Sequence, residues 1–182
     1  MNSFLFFPGM MLHEIAHAVA CVLLGVDMTK IKLWGKSGAS VTHRPTTGWK
    51  NFVVAIAPFF LNTLLAVVAL WVGHIALMKT AFFVPGKIGY ILLFYWLGAS
   101  FAYFAFPSET DLKSGWKVLW RHYKSRLLLQ KGVVSTLLHW LTLPLLIPAR
   151  IVLGLMGFMN QPRAGTAWAV VLFLFTALVA GV

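Results

Sequence analysis

Residues 13–17 of the chain read His-Glu-Ile-Ala-His, an H-E-x-x-H pattern inside an apolar run from about residue 4 to residue 24. On a helix, His13 and His17 lie one turn apart on the same face, so their imidazoles can bind one zinc ion. Glu14 beside them has the chemistry of a general base. Because ionisable side chains are costly inside a bilayer, these residues are functional candidates. The pattern predicts one Zn²⁺ per chain, with Glu14 as the catalytic base.

The composition is typical of a membrane protein. Of the 182 residues, 60% are hydrophobic and 10% are charged, against about 25% charged residues in typical soluble proteins. The mean hydropathy is +0.84. The net charge of +11 does not predict nucleic-acid binding, because the lysines and arginines lie in loops between apolar runs, where the positive-inside rule places them. We expect a lipid bilayer and no nucleic acid among the partners.

The apolar runs predict an all-α polytopic membrane protein with about five transmembrane segments. The predicted segments cover residues 4–26, 52–78, 88–106, 132–159 and 165–182. Two prolines, Pro144 and Pro148, interrupt the fourth segment. After the first segment, residues 29–34 and 39–43 flank a Gly-Lys-Ser-Gly turn. This pattern predicts a small membrane-associated β-hairpin.

Residues 108–131 predict a basic amphipathic helix that lies in the membrane interface after the third segment. Its apolar stripe at helical spacing runs beside a stripe of lysines and arginines. This segment and the hairpin loop contain most of the basic residues, so the positive-inside rule places both in the cytoplasm and the N-terminus outside. The simplest location is the plasma membrane of a cell. The apolar stripe comprises Trp116, Leu119, Trp120, Tyr123 and Leu127.

A catalytic zinc typically takes three protein ligands, so the two histidines need a third partner. His74 lies near the outer end of the second predicted segment, which is the wrong side for this site. Asp111 and Glu109 follow the third segment on the expected side, and Asp111 is the favoured ligand. Ser108 and Asp111 also form a Ser-x-x-Asp pattern that resembles a capping box. The residues leave three readings open, namely Asp111 as ligand, Glu109 as ligand, or capping alone.

Together these residues resemble the site-2 protease family of intramembrane zinc metalloproteases. In that family an H-E-x-x-H helix provides two histidine ligands and the catalytic glutamate, and a later span provides an aspartate just after a proline. The resemblance implies that His13, His17 and Asp111 are zinc ligands and that Glu14 is the base. In this chain Phe-Pro-Ser-Glu-Thr-Asp stands where the family usually has Asn-Pro-Asp-Gly.

A second element of the family is similar to residues 57–62, which read Ala-Pro-Phe-Phe-Leu-Asn. The resemblance implies that Asn62 lies near the active site, where it would orient the substrate or stabilise the oxyanion. The alternative for an intramembrane asparagine is an interhelical hydrogen bond. The resemblance covers about residues 5–112. It implies hydrolysis of a peptide bond within or next to a transmembrane segment of a membrane-protein substrate.

These expectations divide the chain into three parts. Residues 1–112 form the catalytic membrane core, residues 113–131 the interfacial helix, and residues 132–182 two additional C-terminal membrane segments. The alternative function is that of a non-catalytic zinc-binding membrane protein, an inactive protease-like scaffold. Glu14 argues against that alternative, because a structural zinc site does not need a base beside it.

Overall fold

The computed structural model describes residues 6–32, 39–44, 46–79, 85–129, 144, 146–159 and 162–182. In these ranges the chain is mostly helical, with one small two-stranded antiparallel sheet. The elements in chain order are α1 (Phe7–Leu24), β1 (Met28–Lys32), β2 (Ser40–His43), α2 (Gly48–Met78), α3 (Pro85–Tyr103), α4 (Glu109–Leu129), α5 (Leu146–Met159) and α6 (Pro162–Ala180).

Helix α1 carries the H-E-x-x-H pattern, and both of its ends have a local cause. Pro8 lies in the first turn, where its missing N–H breaks no helical hydrogen bond. Gly25 follows the last residue with a φ of 60°, a left-handed conformation that favours glycine and ends helices. The chain then turns into β1. The helix therefore ends about two turns after His17.

The predicted β-hairpin is confirmed. Strand β1 pairs with β2 in antiparallel register, with Ile31 opposite Val41 and Lys32 opposite Ser40. The predicted turn at residues 35–38 lies outside the described residues. Strand β2 also contacts α1, so the hairpin lies against the helix that carries the candidate catalytic residues.

Helix α2 is the central element of the fold. Its 31 residues span about 46 Å at 1.5 Å per residue, and it contacts α1, α3, α4 and α6. Pro58 lies inside this helix, and Asn62 and His74 are buried on it. Because α2 passes between the other helices, its side chains and carbonyls can reach groups on several of them.

Among the described residues, two helices, α1 and α2, are long and apolar enough to cross a bilayer. Two shorter apolar stretches lie in α5 and α6. The first part of the predicted fourth segment, residues 132–143, lies outside the described residues. The structure thus supports a mostly helical protein with two candidate membrane helices, and the count of five segments stays a prediction.

Helix α4 forms where the amphipathic helix was predicted, but part of its apolar stripe faces protein. Leu119 is 1% exposed and packs with Tyr123 in a cluster that includes Phe52 of α2 and Leu153 of α5. Trp120, by contrast, is 49% exposed. Helical periodicity identifies the apolar face but does not say whether protein or lipid covers it. The interfacial location of α4 therefore stays a prediction.

Candidate metal centre

Two helices bring three potential ligands to one point. His13 and His17 are buried on α1, and the partly buried Asp111 lies in the first turn of α4. The Oδ2 atom of Asp111 lies 3.6 Å from Nε2 of His13 and 3.4 Å from Nε2 of His17. One ligand atom from each residue lies within 4.8 Å of the others. Within the described ranges, no other group of three histidine, cysteine or acidic side chains meets this condition.

Backbone carbonyls orient both imidazole rings. The Nδ1 atom of His13 lies 2.8 Å from the carbonyl oxygen of Phe104, and that of His17 lies 2.8 Å from the carbonyl oxygen of Val54. Because a carbonyl oxygen can only accept, we assign the ring proton to Nδ1 in each case. Each Nε2 then presents a lone pair towards Asp111. This pattern is typical of histidines that bind metals.

The arrangement fits a zinc ion. Two ligand atoms at about 2.0–2.1 Å from a tetrahedral zinc lie about 3.4 Å apart, close to the two distances between Asp111 and the histidines. These distances are too long for good hydrogen bonds. The buried Nε2 of His17 has no hydrogen-bond partner among the residues that the structure describes. A cation between the nitrogen lone pairs and the carboxylate would satisfy all three groups.

Asp111 also completes the predicted capping box. Its Oδ2 accepts hydrogen bonds from the backbone N–H of Ser108, at 2.9 Å, and from the Ser108 hydroxyl. The N–H of Asp111 donates to that hydroxyl in return, at 3.2 Å. Burial alone would raise the pKa of the Asp111 carboxyl, but hydrogen bonding, including that from Ser108, outweighs burial and holds the pKa below its usual range. The carboxylate therefore stays anionic, and the cap and the metal-facing geometry coexist.

Glu109, the alternative third ligand, points to a different partner. Its exposed carboxylate lies 2.7 Å from the Nζ of Lys113, one turn along α4. The hydrogen bond and charge of Lys113 lower the pKa of the Glu109 carboxyl. Glu109 is not part of the group of three, so the geometry favours Asp111 as the third ligand.

Glu14 makes a contact that nothing in the sequence indicated. Its Oε2 accepts a hydrogen bond from the backbone N–H of Val41, at 2.7 Å. That N–H lies on the edge of β2 that faces away from β1, so the hairpin is joined directly to the motif helix. Sequence patterns carry no signal for this contact, because the two residues are 27 positions apart and belong to unrelated local motifs.

Asn62 is completely buried and forms the interhelical hydrogen bonds that were the alternative to a catalytic role. Its Nδ2 donates to the carbonyl oxygen of Phe104, at 2.7 Å, and to that of Gly9, at 3.3 Å. Its Oδ1 has no partner among the described residues. The substrate-orienting and oxyanion roles of Asn62 stay a prediction.

Apolar helices around three converging histidine and aspartate side chains define a helical membrane protein with a candidate metal centre. The family of Peptidase M50B-like proteins matches residues 8–107, more than half of the chain. The chain therefore belongs to this family, and the resemblance to site-2 proteases is confirmed. M50 proteins are zinc metalloproteases. The match contains Glu14 and Asn62 but ends before Asp111. No curated protein and no solved structure matches the chain.

Proposed function

We propose that this protein is an intramembrane zinc metalloprotease. It hydrolyses a peptide bond within or next to a transmembrane segment of a membrane-protein substrate. The observation that carries this proposal is the convergence of His13, His17 and Asp111, whose ligand atoms lie within 4.8 Å of one another. Glu14 lies beside His13 on α1. Membership of the Peptidase M50B-like family supports it.

The residues of the site divide the chemistry between them. His13, His17 and Asp111 would hold the zinc, which when bound activates a water molecule near neutral pH and polarises the scissile carbonyl. Glu14 takes a proton from the attacking water and passes it to the leaving amine nitrogen. The N–H of Val41 holds one oxygen of the Glu14 carboxylate, and the other oxygen keeps lone pairs that can accept the proton.

A groove of about 420 Å³ between α1 and α2 supports an apolar route to the site. Its wall includes Ala16 of the motif and the exposed side chains of Val19 and Phe60. We propose that the transmembrane segment of the substrate approaches along this groove. Val19→Trp would fill the groove, so we expect slower cleavage of a membrane substrate with unchanged zinc content. Unchanged cleavage would contradict this route.

Strand addition to the hairpin would hold an unwound substrate, because its freed backbone groups need new partners in a membrane. We propose the edge of β2, since Val41 on that edge contacts Glu14. Because the Val41 N–H is already bonded to Glu14, the test uses His43, two residues along β2 on the same edge, with Met28 opposite it on β1 as the matched position. We expect His43→Pro to impair cleavage and Met28→Pro to leave it unchanged, with zinc retained in both. Cleavage at the wild-type rate in both variants would show that strand addition is wrong.

We also propose that five segments span the plasma membrane of a cell and that the basic loops face the cytoplasm. The charge distribution supports this orientation. Lys79 and Lys117 are exposed on opposite predicted sides. In a Cys21→Ser background, Lys79→Cys is expected to react with a membrane-impermeant maleimide on intact cells, and Lys117→Cys only after lysis. The reverse labelling pattern would invert the orientation.

Zinc content tests the proposed site most directly. Wild-type protein purified in detergent is expected to contain about one zinc per chain by elemental analysis. Asp111→Ala should contain much less, and Glu109→Gln is the matched control because that exposed carboxylate bonds only Lys113 in the described contacts. Wild-type protein without zinc or another transition metal would remove the basis of the protease proposal.

A second candidate is a zinc-binding scaffold without catalysis. The observation that favours it is the hydrogen bond from the Val41 N–H to Glu14. This bond joins β2 to α1, so Glu14 contributes to the structure without catalysis. A scaffold would bind zinc but would not cleave any membrane substrate in liposomes. Cleavage that is lost in Glu14→Gln, with zinc retained, would reject this candidate.

A further inference from the structure

A proline in α2 frees the carbonyl group that orients His17. In a regular helix, the N–H at position 58 would donate to the carbonyl of Val54, but Pro58 has no N–H. The Val54 carbonyl instead accepts the Nδ1–H of His17 at 2.8 Å. Val54 is 2% exposed, and a buried carbonyl needs a donor. Because Pro58 donates no helical hydrogen bond, the Val54 carbonyl is available to the imidazole of His17.

His13 is oriented through a second carbonyl, which Asn62 holds. Helix α3 ends at Tyr103, so the carbonyl of Phe104 lies beyond the helix, where no intrahelical donor is available. It accepts the Nδ1–H of His13 at 2.8 Å and the Nδ2–H of Asn62 at 2.7 Å. The other Nδ2–H of Asn62 reaches Gly9, one turn before His13 on α1. Asn62 therefore ties together the three segments that place this imidazole.

We infer that Pro58 and Asn62, one turn apart on α2, are positioning residues for the two candidate zinc-binding histidines. Pro58 acts on His17 by leaving the Val54 carbonyl free, and Asn62 acts on His13 through the Phe104 carbonyl. Neither side chain contacts the metal or the substrate in this role. The inference rests on the proposed function only for zinc binding, and it holds whether or not the protein cleaves a substrate.

Two substitutions at position 58 test the first half of the inference. Pro58→Ala and Pro58→Gly both restore an N–H that competes with His17 for the Val54 carbonyl, yet alanine and glycine differ strongly in helix propensity. We expect both variants to bind zinc about 10–100-fold more weakly, as losses around metal-binding histidines commonly do. Pro148→Ala is the matched control, because α5 contributes no residue to the candidate metal centre.

Asn62→Leu tests the second half, since leucine fills a similar volume without donating a hydrogen bond. We expect weaker zinc binding by a similar factor of about 10–100. The matched control is Ser100→Ala. The Ser100 hydroxyl accepts the Gly9 N–H at 2.8 Å and donates to the Phe6 carbonyl at 2.9 Å. This control removes the hydrogen bonds that join α3 to Phe6 and Gly9 at the start of α1, and it leaves the Phe104 carbonyl untouched.

Two readouts separate positioning from plain stability. Zinc affinity is measured by competition with a chromophoric chelator, and the visible absorption of the Co²⁺-substituted protein reports ligand geometry. We expect altered Co²⁺ spectra in both position-58 variants and in Asn62→Leu. Ser100→Ala and Pro148→Ala should keep the wild-type spectrum and zinc affinity, even where their thermal stability falls.

The outcomes are distinguishable. Wild-type zinc affinity and Co²⁺ spectra in both position-58 variants would overturn the role of Pro58, and the same result in Asn62→Leu would overturn the role of Asn62. If Ser100→Ala loses zinc affinity in proportion to its loss of thermal stability, as the test variants do, then Pro58 and Asn62 affect zinc binding only through the stability of the fold. Wild-type protein that does not bind zinc would overturn the proposed function itself.

Discussion

Two buried histidines, His74 on α2 and His17 on the neighbouring α1, differ in how their ring nitrogens are bonded. His74 is 1% exposed, and both of its ring nitrogens have protein partners. The Tyr95 hydroxyl lies 3.0 Å from its Nδ1, and the Phe173 carbonyl lies 3.3 Å from its Nε2. Among the residues that the structure describes, His17 has a hydrogen-bond partner for Nδ1 only, and its Nε2 faces Asp111 without a hydrogen bond.

A structural histidine uses both ring nitrogens in hydrogen bonds, whereas a candidate metal ligand keeps one nitrogen lone pair free. Since the Phe173 carbonyl can only accept, Nε2 of His74 donates and Nδ1 accepts from Tyr95. The ring has no lone pair left for an ion, and it joins α2 to α3 and α6. At the other site, one ring nitrogen is held by a carbonyl and the second stays available. Burial alone would not have distinguished the two.

We expect Glu14→Gln to have the strongest effect at the candidate metal centre. The amide oxygen can still accept the Val41 N–H, but the side chain no longer takes a proton. We expect cleavage of a membrane substrate in liposomes to fall about 10²–10⁴-fold, the usual contribution of a general base, with zinc content unchanged. Glu109→Gln serves as the control for loss of one carboxylate. Cleavage that persists in Glu14→Gln would assign the base elsewhere.

His17→Ala and His74→Ala compare the two regions directly. Loss of His17 removes a candidate ligand, so we expect zinc to be lost by elemental analysis. Loss of His74 leaves the Tyr95 hydroxyl without its acceptor. It also removes one donor to the Phe173 carbonyl, which still accepts from Thr176. The unsatisfied hydroxyl costs about 1–3 kcal/mol in the free energy of unfolding. That variant should unfold at a lower temperature in detergent and retain its zinc. Zinc loss in His74→Ala, or retention in His17→Ala, would break the distinction.

The smallest effect is expected where capping and metal binding share one carboxylate. Ser108→Ala removes the hydroxyl that pairs with Asp111 at the start of α4. We expect a loss of about 0.5–2 kcal/mol in the free energy of unfolding, as for other helix caps, and a modest loss of zinc affinity because the carboxylate is less well held. Chelator competition and thermal unfolding measure both. Greater stability in this variant would contradict the capping role.

The elements near the candidate site were largely predictable, because their signals are local. The hairpin follows from two short extended runs around a glycine-rich turn, and α4 follows from its helical spacing and the capping box at Ser108. Contacts between such elements were not predictable in the same way. The burial of Leu119 against Phe52 and the bond from Val41 to Glu14 both join segments that share no local pattern.

The amino-acid sequence was enough to identify the residues that can do the chemistry: two histidines one helical turn apart with a glutamate beside them, in a chain apolar enough for a membrane. Local spacing and composition are sufficient for that. The packing of the helices shows what the sequence left open: Asp111 rather than Glu109 faces the histidines, and the carbonyls of Phe104 and Val54 orient the rings. Those contacts join residues as far apart as His13 and Asp111, which are 98 positions apart in the chain, and contacts of that kind depend on how helices pack.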